Sequence, residues 1–151
     1  MLRPSKKMLF AIEAVLDIAY HAGGEPVQSR EITRRQGIPR RYLEQTLQQL
    51  VRSGILSGVR GPRGGYRLAR ERRRISVGEI VRVVRALEAP EEMEEELPSS
   101  ELGRAVIRPM WGELQEDIMK RLDGISIDDL CMKSYRAGIV SEVAQKMDFT
   151  I

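Results

Sequence analysis

Cysteine occurs once in this chain of 151 residues, as Cys131, and histidine once, as His21. A single thiol excludes a disulfide within the chain and any metal site built mainly from one chain's thiolates. No His-bearing catalytic triad, no paired-carboxylate pocket and no glycine loop running into Lys-Ser/Thr and a helix can be placed in the sequence. No enzyme activity, cofactor or metal is therefore expected. No apolar run reaches transmembrane length, and the N-terminus lacks the apolar stretch and small-residue cleavage site of a secretory signal. The expected compartment is the cytoplasm, with no membrane partner.

What the chain does have is charge, unevenly placed. Residues 1–90 carry 18 Lys and Arg against 8 Asp and Glu, a net of +10, whereas residues 91–151 carry 7 against 14, a net of −7. The first part should seek polyanions and the second should not. The most informative stretch lies at residues 55–69, where two short strand-like runs flank a tip made only of Arg60, Gly61, Pro62, Arg63 and Gly64. Glycine permits close backbone approach, proline stiffens the turn, and the two arginines project cationic forks from a tip with little other bulk. After the tip, Tyr66 and Leu68 alternate with Arg67, the pattern of a strand with one face on a core. This reads as a hairpin that probes DNA.

The residues upstream of the hairpin support that reading. Met8, Ile12, Val15 and Ala19 recur at helical spacing over residues 6–22, with Ser5 placed to cap the helix and Gly23-Gly24 to stop it. Ser29 is the expected cap of a short helix closed by Gly37. After Gly37-Ile38-Pro39, a second helix points Leu43, Leu47 and Leu50 inward and ends at Gly54. Two helices joined by a tight glycine turn form a helix-turn-helix. The face opposite the leucines carries Arg40, Arg41, Glu44, Gln45, Gln48 and Arg52, with Tyr42 near its start, a set able to reach base edges and phosphates.

Ser76 and Glu79 have capping-box spacing at the head of a further helix, whose apolar face is Val77, Ile80, Val84 and Leu87 and which is expected to pack beneath the hairpin. Residues 91–100 read as an acidic linker. Over residues 101–123, Leu102, Val106, Met110, Leu114, Ile118 and Leu122 recur every fourth position, and Ile107 and Trp111 widen the stripe. Pro109 interrupts it, so a long helix either starts at that proline or kinks there. One such helix on a small domain leaves a large apolar face, and a second copy of the chain would cover it, with Trp111 as an anchor. Residues 124–151 read as a helical tail, with a capped helix from Ser126 and a weaker segment starting at Ala137-Gly138.

The sequence resembles one bacterial regulator family, the Rrf-two family of IscR-, NsrR- and CymR-type winged-helix proteins. Arg41-Tyr42-Leu43-Glu44-Gln45, the run from Val59 through Gly61, Pro62 and Tyr66 to Leu68, and Ile75-Ser76-Val77-Gly78-Glu79-Ile80 carry the resemblance. It is strong over residues 5–88 and lies mostly in layout over residues 101–130. It implies a mainly α fold: a winged helix-turn-helix with a small β-hairpin wing, plus a long dimerisation helix. It also implies that the recognition helix reads the major groove through Tyr42, Glu44 and Gln45 while Arg60 and its neighbours enter the minor groove. Ser5, Lys7 and Ser29 complete the expected DNA contacts. The resemblance also implies a departure, because cluster-binding members group three cysteines around the linker before the dimer helix and residues 89–108 contain none. Cys131 alone cannot hold an iron–sulfur cluster in their place.

The function expected is that of a sequence-specific regulator, a homodimeric repressor on a pseudo-palindromic operator in double-stranded DNA, acting without a cluster. Two alternatives stay open: a winged-helix module that binds protein, and a thiol sensor acting through Cys131. Asp128 and Asp129 beside that cysteine would raise its pKa and favour an inert thiol. A regulatory protein or a small-molecule effector is the further partner left open. His21, at a helix C-terminus where a cation is favourable, receives no role.

Overall fold

The computed structural model describes residues 3–88 and 100–143. The acidic linker therefore lies outside the described residues except for Ser100, as does most of the weak helical segment expected towards Met147.

Among the described residues six α-helices accompany one small hairpin: α1 (Lys6–His21), α2 (Ser29–Gln36), α3 (Arg40–Arg52), β1 (Leu56–Val59), β2 (Gly65–Leu68), α4 (Val77–Glu88), α5 (Arg108–Asp123) and α6 (Ile127–Arg136). Local signals start and stop them. Ser5 accepts from the Met8 amide at 3.2 Å, and at α4 the Glu79 amide donates to Ser76 Oγ at 3.2 Å while the Ser76 amide donates to Glu79 Oε2 at 2.9 Å. These bonds satisfy amides that a helix start leaves without partners. At α2 the cap is Gln28 rather than Ser29: the Gln28 amide donates to Glu31 Oε2 at 2.9 Å, and Ser29 is the first helical residue. Gly37 closes α2 in the left-handed region at φ 66°.

The core is built on α1, whose Ala11, Ala14, Val15 and Ile18 meet Ile32 of α2, Leu43, Leu47 and Leu50 of α3, and Ile80 and Val84 of α4. β1 and β2 pair antiparallel with Leu56 opposite Leu68 and Val59 opposite Gly65, and Val27 bridges Tyr66 on the outer edge. The hairpin hangs from the end of α3 through the Ile55 amide, which donates to Leu50 O at 3.0 Å. Two expectations for α4 need correction. Its main partners are α1 and α5 rather than the hairpin, and Leu87 is 44% exposed because the core ends a turn earlier at Val84.

Pro109 neither starts nor breaks the long helix. Helical backbone begins at Glu101, passes through a π-helical turn over Gly103–Ile107, and continues into α5 with Pro109 in its first turn. The Arg108 amide reaches back five residues to Gly103 O, so the wide turn makes room for a ring that would collide with the carbonyl four residues back.

The C-terminal part is not a tail. Ile127 and Cys131 sit in the main core, the Val77 amide donates to Ile125 O and the Ile127 amide to Ile75 O, each at 2.8 Å, and α6 packs on α1. Arg82 of α4 forks onto Asp123 at 2.6 and 2.7 Å. Gly78 leaves room for this pair, because a β-carbon at its position would lie 1.9 Å from Asp123 Oδ1 and would push that side chain aside. The core that carries the helix-turn-helix and the hairpin thus includes α6. Ala137-Gly138 ends α6 rather than starting a helix, since Gly138 has φ 80°. Helical backbone returns at Glu142 and Val143.

Candidate nucleic-acid interface

α3 is amphipathic for a simple reason: its leucines and Thr46 face the core, and a 3.6-residue period puts the charged and amide side chains on the opposite face. Leu43, Leu47 and Leu50 are buried, while Arg40, Arg41, Tyr42, Glu44, Gln45, Gln48 and Arg52 are all exposed. Arg40 Nε reaches Glu44 Oε1 at 3.0 Å, so these two are committed to each other until a base or phosphate competes. Lys7 Nζ lies 5.9 Å from the centre of the Tyr42 ring, which places the first turn of α1 beside the first turn of α3. Ser5 is already engaged: besides capping α1, its hydroxyl donates to Glu88 Oε1 at 2.9 Å. Ser29 stands half-buried at the head of α2.

The tip of the hairpin presents Arg60, Gly61, Pro62 and Arg63 to solvent, whereas Gly64 is buried. A β-carbon at Gly64 would lie 2.2 Å from Val59 O, so the tight return of the strand is what demands glycine there. Gln28 Nε2 donates to Pro62 O at 3.4 Å and ties the tip to the head of α2. Gln28 is a residue that sequence reasoning missed, and its signal was present as Gln-x-x-Glu spacing to Glu31. Arg41, Arg52, Arg60 and Arg63 have no ion-pair partner among the described residues. Four free guanidinium groups on α3 and the wing tip form an electrostatic footprint suited to a phosphate backbone.

A second surface is apolar. Leu102, Val106, Ile107, Met110, Trp111, Leu114 and Ile118 are all exposed, Leu102 to 73% and Ile118 to 55%, and no side chain of α5 is fully buried. Leu122 differs from the rest of the expected stripe, for it turns half-buried towards Met8, Ile12 and Val81 of its own domain.

Cys131 is 3% exposed. Burial pushes its thiol up from the ordinary value, with Arg72 pulling the other way and Asp128 adding a small push. The dominant cause is desolvation rather than the neighbouring aspartates, because Asp128 is paired to Arg72 at 2.7 Å and Asp129 caps α6.

A helix-turn-helix followed by an arginine-tipped hairpin defines a winged-helix DNA-binding protein. The Rrf2 family, described as "Iron-dependent Transcriptional regulator", matches residues 4–133, and the chain belongs to that family of transcriptional regulators. It is 34% identical over 122 residues to protein rrf2 of Nitratidesulfovibrio vulgaris, covering 80% of this chain and 81% of that one. It is 33% identical over 147 residues to the HTH-type transcriptional regulator IscR of Xenorhabdus nematophila, covering 97% and 87%. Among solved structures, T. potens IscR superposes with a TM-score of 0.73 at 33% identity over 92% of this chain and 93% of the other. CymR, the global cysteine regulator of B. subtilis, gives 0.69 at 28% identity over 88% and 98%.

The described residues do not fit the iron centre that the family description implies. Its one thiol is a buried core residue, and no group of three or more His, Cys, Asp or Glu able to hold a metal occurs among the described residues.

Proposed function

We propose that the protein is a homodimeric repressor that reads a pseudo-palindromic operator without an iron–sulfur cluster. The observation that carries this reading is the pairing of an exposed polar α3 with a free-arginine wing tip. Such a pairing lets one protomer engage a major groove with Tyr42, Glu44, Gln45 and Gln48 and the adjacent minor groove with Arg60 and Arg63. Lys7, Arg41 and Arg52 would sit on phosphates. The apolar face of residues 102–118 supports a second copy of the chain as its cover, because two half-site contacts joined in one particle give far higher avidity than either alone. A winged-helix module for protein would need no set of free arginines on the same two elements.

Binding selection on randomised duplexes tests the assignment residue by residue. Gln45→Ala and Glu44→Ala are expected to relax base preference at particular positions, at roughly 1–3 kcal/mol for each lost contact. Lys7→Ala and Arg52→Ala are expected to weaken all sequences alike, and Arg60→Ala to cost most where the minor groove is narrow and A·T-rich. Equal losses on every sequence for all five variants would reduce the interface to electrostatics.

Protein purified under anaerobic conditions is expected to be colourless, with no stoichiometric iron or acid-labile sulfide, and to bind its operator in that state. Because the Cys131 thiol is buried and its pKa raised, Cys131→Ser should leave DNA titrations nearly unchanged, with and without peroxide. Stoichiometric iron with matching sulfide would overturn the first expectation, and peroxide release of the wild type alone would overturn the second.

A further inference from the structure

α2 is an unusually thin element for one that has to orient a recognition helix. Of its eight residues only Ile32 is fully buried, so its apolar anchorage is a single side chain. The rest of its attachment is polar. Arg35 donates through Nε and one terminal nitrogen to the two oxygens of Asp17, both at 2.8 Å, and Gln36 Nε2 adds a third bond to Asp17 at 2.8 Å. The Asp17 side chain is completely buried and that of Arg35 is 9% exposed.

The remaining nitrogen of Arg35 is claimed from the far end of the chain. Glu142 takes it at 2.8 Å with one oxygen and holds Arg34 at 2.7 Å with the other. The backbone around Glu142 is seated as well. Its amide donates to His21 Nδ1 at 3.1 Å, Tyr20 donates through its hydroxyl to Ile139 O, and a β-carbon on Gly23 would lie 2.6 Å from Val143 Cγ2. Residues 139–143 therefore lie across the end of α1 and grip the last turn of α2. Only Gly37, Ile38 and Pro39 separate that turn from α3.

We propose that residues 139–143 form a strap that positions α2, and through it α3, for DNA, with Glu142 as the positioning residue and neutral His21 as its seat. The proposal rests on α3 being the element that reads DNA. The hydrogen bonds and ion pairs of Glu142 go to Arg34, Arg35 and His21, and none goes to α3 or the wing. Its effect is on the fraction of molecules whose α3 is correctly placed, and a reduced competent fraction weakens apparent affinity in proportion.

The His21 seat gives the strap a pH dependence. Nδ1 accepts the Glu142 amide, so the ring is the Nε2–H tautomer, and a second proton on Nδ1 would turn an acceptor towards a donor. Asp17 and Glu142 face the ring as anions and Arg34 and Arg35 as cations, with Tyr20 alongside. Burial outweighs them and, with the arginines, holds the pKa below the ordinary 6.5 although the carboxylates raise it. A group held neutral in the folded form favours that form fully above its free pKa and loses the advantage as pH falls below it. Strap docking is thus complete near neutrality and weakens in mild acid. His21 is the chain's one histidine, so no other imidazole confuses the readout.

The test uses the full chain and a duplex that the wild type has selected from a randomised pool, beside a scrambled duplex of the same composition. Glu142→Ala and Glu142→Gln are each expected to weaken the selected duplex about fivefold or more and leave the scrambled one unchanged. Their melting temperatures should stay within about 3 °C of wild type. Between about pH 7.5 and 5.5 wild-type affinity for the selected duplex should fall, while His21→Asn, whose Oδ1 replaces Nδ1 as acceptor without titrating, should give a flat profile. The nitrogen resonances of His21 should show its proton on Nε2. Wild-type affinity in both Glu142 variants, equal loss on both duplexes, or a pH profile that His21→Asn leaves unaltered would each overturn the strap. A wild type that selects no duplex would instead remove the DNA reading on which the strap rests.

Discussion

A chain carrying Met110→Glu and Leu114→Glu is expected to be a monomer by light scattering and to bind its operator at least about tenfold more weakly. Both residues are exposed on α5, 44% and 48%, so the monomer has little to lose by the exchange. In a dimer sealed by residues 102–118 the same two carboxylates would enter an apolar interface without partners, which carries a large desolvation cost. Ending the chain at Pro90 is not an equivalent experiment. It would delete α6, and with it Ile127 and Cys131 from the core, so loss of binding would report unfolding. A double variant that remained dimeric with undiminished affinity would place the interface elsewhere.

Asp17→Ala is expected to be among the most destabilising single changes in the molecule, at about 3–5 kcal/mol. It leaves the nearly buried guanidinium of Arg35 with only Glu142, strips Gln36 of its acceptor, and removes the carboxylate nearest the His21 ring at 4.0 Å. For a chain of this size such a loss should lower the melting temperature on the order of 10 °C. Asp17→Ala combined with Arg35→Met should recover part of it, because removing both partners of a buried pair leaves no uncompensated charge. Thermal denaturation of the two proteins checks this. A single variant that melts within a degree or two of wild type would mean that the pair contributes nothing to holding α2.

That network also marks where reading the sequence stops. The caps at Ser5 and Ser76, the glycine stop at Gly37 and the Arg-Gly-Pro tip were legible because each is settled by residues within about four positions, over which backbone hydrogen bonds and steric limits act. The inward leucines of α3 were legible through their period. Ser29 was misplaced as the cap because Gln28 and Ser29 are both polar at adjacent positions, and the choice depended on where Val27 pairs with Tyr66. Leu87 fitted the helical period yet faces solvent, because period gives a face but not the depth of the core beneath it.

His21 and Glu142 carried no local signature at all. Their meeting spans 121 residues, and the bond from Arg35 to Glu142 spans 107. The helix-turn-helix, the wing and the charge that suits them to DNA follow from propensity, turn chemistry and net charge, which are properties of short segments. Long-range packing brings α6 into the core with α1, absorbs Pro109 in a π-helical turn, and lays residues 139–143 across α1 and α2. Each of those depends on side chains brought into contact from distant parts of the chain, where burial and pairing act on geometry that no spacing along the sequence records.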